Sequence, residues 1–151
     1  MGLREVLRYL VTLQLSGRGN VVRAIYDYFV LSGSVGNVKE LAERHGLSRD
    51  KLRGYVQRFV ERCGYGDRIR RAKIFARYLA PLVLAVVEPA VEHVNGGIRC
   101  RICGATLLGV DTVLASHFQL HRDLVEQYVE QILSILRECC RKGICTASSR
   151  R

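Results

Sequence analysis

VKELAERHGLSRDKLRGYVQR, residues Val38 to Arg58, is the stretch from which the rest of the chain is read. Ala42, Gly46, Leu52 and Tyr55 are spaced as two short helices and a tight turn require: a small residue at the crossing, a turn glycine and two apolar anchors. Gly46 supplies a left-handed backbone conformation that a Cβ opposes. Ser48 is placed to cap the second helix by accepting a backbone N–H, and Asp50 falls in its first turn, where the helix dipole favours an acid. That helix is expected over about Arg49 to Arg62. Leu52, Tyr55, Val56, Phe59 and Val60 face inward by spacing, while Arg49, Arg53 and Gln57 recur every fourth residue on the opposite face.

This pattern resembles the helix-turn-helix DNA-binding superfamily over about 22 residues, or about 40 with a preceding helix. The resemblance implies that the second helix lies in a major groove. Arg49 and Arg53 would then hold guanine and Gln57 adenine, each good bidentate pair contributing about 1–3 kcal/mol of discrimination. Lys51 and Arg58 lie to the side, where they reach phosphates. With Ser48 and with Arg70, Lys73 and Arg77 further on, these residues make up the expected nucleic-acid-binding set.

Charge supports the same partner. The 151 residues carry a net charge of +10, with 48% hydrophobic and 25% charged residues, a composition that excludes wholesale disorder. Eleven basic and three acidic residues lie between Arg44 and Arg77, so nearly all the excess sits on and just after the quoted stretch. A polyanionic partner accounts for that concentration better than a merely solvated basic surface does.

Leu3 to Leu15 reads as a helix with Arg4, Glu5 and Arg8 on its polar side. SGRGN interrupts it, and Asn20 is expected to cap a supporting helix running to about Leu31. SGSVGN then turns the chain into Val38. After Cys63-Gly64-Tyr65-Gly66, apolar positions Ile69, Ala72, Phe75, Ala76 and Leu79 favour a fourth helix capped by Asp67 over a β-wing, decorated by Arg68, Arg70, Arg71, Lys73 and Arg77. Pro81 to Val94 is expected to form another helix, although Pro89 and the valine content keep a strand or kink open. Cys63 reads as a buried small apolar side chain. The apolar run Leu79 to Val87 is too short to cross a bilayer, and charges break the N-terminal run, so neither a membrane span nor a signal peptide is expected. The expected location is intracellular: cytoplasmic and nucleoid-associated.

The second constellation is GIRCRICGATLLGVDTVLASHFQLH. Cys100 and Cys103 are followed, after thirteen residues, by His117 and His121. Two cysteines on a knuckle point both thiolates at one ion, and two histidines four apart share a helix face. The pattern resembles the two-cysteine, two-histidine zinc finger, which implies one structural Zn2+ held by Cys100, Cys103, His117 and His121. Two departures stand out: the loop has thirteen residues where twelve is commonest, and Leu107 occupies the place of an aromatic. The base-reading positions carried over from that family are Val110, Val113 and Ser116, none suited to a base edge. The finger is therefore expected to support assembly or contact a partner. No enzyme is expected. Phe118 follows His117 where a zinc protease needs glutamate, four protein ligands leave no open position, and no nucleophile turn or phosphate-binding loop is present.

From Asp111 to Cys140 an apolar stripe continues at helical spacing, enough for one helix of about 45 Å. The stripe either packs on this chain's own helices or pairs with a second copy through residues 118–139. Cys139, Cys140 and Cys145 close it without an evident fourth ligand. The expected fold is mostly α: residues 1–94 a helix-turn-helix bundle, 95–145 a zinc finger with a long C-terminal helix, and 146–151 a flexible tail. The expected function is transcriptional regulation through double-stranded DNA. An RNA-binding or ribosome-associated protein, and a protein-interaction adaptor, are the alternatives.

Overall fold

The computed structural model describes residues 2–31, 37–64 and 66–142. These form α1 (Gly2–Leu15), α2 (Gly19–Tyr26), α3 (Val38–Arg44), α4 (Arg49–Glu61) and α5 (Arg68–Val86). Then come β1 (Val91–Val94), β2 (Gly97–Cys100), β3 (Thr106–Leu107), α6 (Asp111–Gln119) and α7 (Arg122–Arg141). The strands make one antiparallel sheet in the order β1-β2-β3. The fold is mostly α, as expected.

α1 is the spine. Val6, Leu7, Leu10 and Val11 recur at spacings of three and four and are fully buried, so α1 can pack α2, α5, α6 and α7 around itself. α2 starts one residue before the expected cap. Arg18 occupies the N-cap position without a side-chain cap bond, and its carbonyl accepts from the N–H of Val21. Asn20 instead donates its amide to the carbonyl of His45 at 2.9 Å, a neighbour far away in sequence that outcompetes the local cap. After Tyr26 the helix widens into a π-helical turn over Asp27–Leu31. There Asp27 meets the His45 imidazole at 2.7 Å. Most of the SGSVGN turn, together with Tyr65, Cys145 and the 146–151 tail, lies outside the described residues.

α3 and α4 are joined by the turn that the glycine demands. Gly46 has φ +72°. Its N–H donates to Glu43, and the N–H of Leu47 donates to Ala42 at 2.9 Å, which satisfies the carbonyls left open at the end of α3. Ser48 Oγ accepts from the N–H of Lys51 at 3.1 Å. Ser48→Ala should lower stability by about 1 kcal/mol in denaturant titration. Leu52, Tyr55, Val56 and Phe59 are buried.

Asp67 caps α5, accepting from the N–H of Arg70 at 3.1 Å. The helix does not end at Pro81 and restart; it runs through that residue to Val86. Pro81 is exposed, so the carbonyl its ring deprives of a partner can be reached by water. The chain then becomes extended. Pro89 disfavours helix at the residue before it, and the valine-rich segment pairs as β1, with Val91 opposite Cys100 and Val94 opposite Gly97. Residues 81–94 are thus part helix and part strand. Cys63 is buried as expected, its thiol donating to Phe59 at 3.2 Å, and burial pushes its pKa up to about 11.

The expected single helix over Asp111–Cys140 is two helices. Leu120 and His121 break it, with His121 at φ −108°, ψ 33°. The break leaves His117 in α6 and His121 at the start of α7, which lays its own stripe on α1. Val125, Val129, Ile132 and Leu133 are buried there. Arg8 reaches Glu126 at 2.7 Å, and Arg4 pairs with Glu130. Of the two fates open to the stripe, it is packing within the chain that is seen. One contiguous core runs from Val6 through Phe59, Cys100 and Phe118 to Leu133.

Candidate metal centre and basic helix face

β2 delivers Cys100 at its last residue, and the following knuckle delivers Cys103. The N–H of Gly104 donates to the Cys100 carbonyl at 2.8 Å, and that of Cys100 to Ala105 at 2.8 Å. Gly104 has φ +80°, which lets the chain reverse directly after the second thiol. α6 delivers His117 from its last full turn, and His121 follows just beyond the helix end. The four donor atoms lie within 4.8 Å of one another and form a group able to hold a metal ion. His117 Nε2 stands 3.5 Å from Cys103 Sγ, His121 Nε2 3.6 Å from Cys100 Sγ, and the two Nε2 atoms 3.2 Å apart. Cys100 and His117 are buried, while Cys103 is exposed. Burial, and secondarily the neighbouring His121, lower the His117 pKa, which favours the neutral imidazole that metal ligation uses. The sequence-derived ligand set is brought together in full.

The second cluster is a surface. Ser48, Arg49, Lys51, Arg53, Gln57 and Arg58 on and beside α4 are all exposed, as are Arg70, Lys73 and Arg77 on α5. Arg70, Lys73 and Arg77 are three and four residues apart and share one face of α5. Elsewhere many of the cations are paired: Arg4, Arg8, Arg18, Arg99 and Arg141 each meet a carboxylate. By contrast, Arg49, Lys51, Arg53, Arg70, Lys73 and Arg77 have no carboxylate partner among the described residues. Arg58 lies over the Tyr55 ring at 5.0 Å. The side-chain oxygen of Ser48 is committed to its cap.

No family profile, curated protein or solved structure matches this chain. Among the described residues no helix is long and apolar enough to cross a membrane. Sequence reasoning placed Tyr55 in the core but did not pair it with Asp111, which also meets Arg18. Tyr55 and Asp111 are 56 positions apart, and no local spacing signals such a pair.

Proposed function

We propose that this protein binds double-stranded DNA in a sequence-specific manner and acts as a transcriptional regulator, with α4 in the major groove and one structural zinc ion supporting it. The observation that carries this reading is the uncompensated cationic face of α4 and α5, beside a glycine-turned pair of helices. The acids nearest to it are few: Asp50 and Glu61 on α4 and Asp67 at the start of α5. The exposed row Arg49–Arg53–Gln57, which ends at Glu61, combines side chains suited to guanine and adenine edges. Lys51, Arg58 and the α5 row are suited to phosphates on either side.

Zinc is the metal that suits the donor set. Two thiolates and two imidazoles match its preference, and bonds of about 2.3 Å to sulfur and 2.0–2.1 Å to nitrogen give tetrahedral edges of about 3.5 Å and 3.3 Å. Three of the six donor separations, 3.5, 3.6 and 3.2 Å, match these edges, and all six fall within 4.8 Å. Four protein ligands leave no position for a reactive water, so the ion's contribution is structural. Val110, Val113 and Ser116 on α6 offer no polar reach to bases, which leaves reading to α4.

Selection of bound sequences from a random duplex pool tests the proposal. Arg53→Ala should then weaken binding to the selected duplex by about 1–3 kcal/mol, roughly 5- to 150-fold, and relax preference at one position. A protein that binds duplex no better than heparin, with Arg53→Ala unchanged, defeats the proposal. Preferential capture of structured RNA at the same salt concentration would redirect it to an RNA target.

A further inference from the structure

α4 carries Tyr55 on its inner face, 4% exposed, and the Tyr55 hydroxyl donates to the carboxylate of Asp111, the first residue of α6. Arg18, in the turn after α1, meets that carboxylate at 2.7 Å and donates to the Gly109 carbonyl at 3.1 Å. Tyr9 of α1 donates to the backbone carbonyl of Tyr55 at 3.2 Å, and the Arg62 guanidinium covers the Tyr9 ring at 4.5 Å. Burial first, then the bond to Asp111, raises the Tyr55 pKa, so its hydroxyl stays a donor at neutral pH.

Asp111 precedes His117 by six residues, about 9 Å along one rigid helix. The N-cap position of α6, Val110, makes no side-chain cap bond. The partners of Asp111 are thus the polar side chains that hold the start of α6 to the rest of the chain. At the other end, the metal ligands tie α6 to the knuckle. Tyr55 lies two residues from both Arg53 and Gln57, across the helix from the exposed row, so any rotation of α4 that moves Tyr55 redirects both.

We propose that Asp111 is a positioning residue through which the metal-bound finger sets the rotation of α4, so that zinc affinity and the order of α4 are thermodynamically linked. The consequence for DNA reading rests on α4 being the helix that reads. Coupling between two sites is reciprocal: if ordering α4 helps zinc bind, zinc orders α4 to the same extent.

The test uses the full chain and needs no nucleic acid at first. Zinc affinity is measured by competition with a chromophoric chelator for the unmodified protein, Tyr55→Phe, Asp111→Ala and the pair. Each single change should weaken zinc about 5- to 10-fold, Asp111→Ala the more because it also frees Arg18, and the pair little more than Asp111→Ala alone, because the Tyr55 bond is already broken there. Amides of residues 52–59 should exchange faster in both zinc-loaded variants. Asp27→Asn, which loosens the α3–α4 turn from its other side by weakening the His45 contact, should leave zinc affinity within about twofold. Unchanged zinc affinity in Tyr55→Phe and Asp111→Ala overturns the proposal, as does an equal loss in Asp27→Asn. A second arm measures binding of the selected duplex with and without zinc, where Tyr55→Phe should narrow the difference. If the first arm holds while no duplex binds, the link stands and the DNA reading fails.

Discussion

Cys103→Ser should release the metal and unfasten α6. A structural site of this donor set contributes on the order of 10 kcal/mol of apparent binding energy in small zinc modules, so loss of one thiolate should weaken zinc at least about a hundredfold. The cost spreads beyond the knuckle because Leu114 and Phe118, both 1% exposed, lie on the helix that His117 anchors and belong to the common core. Treating the unmodified protein with a strong chelator should lower its melting temperature by more than about 10 °C, the shift expected from losing several kcal/mol in a chain of this size. Cys140→Ser, an exposed thiol remote in sequence from the ligands, should retain one zinc per chain. Metal analysis showing less than one zinc in protein purified without chelator, or a Cys103→Ser protein that melts with the unmodified one, would contradict the assignment.

Duplex affinity should fall steeply with salt. If Lys51, Arg58, Arg70, Lys73 and Arg77 each neutralise one phosphate, the logarithmic slope is about −4.5, equivalent to about a 500-fold loss between roughly 50 and 200 mM salt. Replacing Lys73 and Arg77 together by Gln should reduce the slope by about 2, with the preferred sequence unchanged, because phosphate contacts position without specifying. Arg53→Ala should do the reverse, relaxing the preference. A salt-independent affinity would mean that the cationic face is not the binding surface.

Local chemistry made the central motifs legible. Gly46, Ser48 and Asp67 take the turn and cap positions that their side chains favour, because those preferences are decided within a few residues. The ligand set was legible for the same reason: two short spacings, each fixed by one knuckle or one helical turn. Features decided by distant partners were not. Asn20 reads as a cap until His45 supplies a better acceptor from another element. The break at Leu120–His121 is invisible in the apolar pattern, since Phe118, Leu124 and Val125 keep helical spacing across it and neither glycine nor proline marks it. Pro81 looked like a helix start because proline suits a first turn, but Ala76, Leu79, Ala80 and Val83 hold one continuous buried face through it.

Ala90 gives the molecule an unusual seam. Its N–H donates to the carbonyl of Leu15 at the end of α1, and its own carbonyl accepts from Arg101 within the knuckle, both at 2.8 Å. The sheet next to the metal ligands begins at Val91, before the turn that introduces the cysteines. The strand and helix that carry the four candidate ligands are therefore built into the scaffold of the helical bundle beside them. A fragment beginning at residue 95 would lose the partner strand of β2 and the tether at Ala90, so the four candidate ligands and the helical bundle fold as one piece.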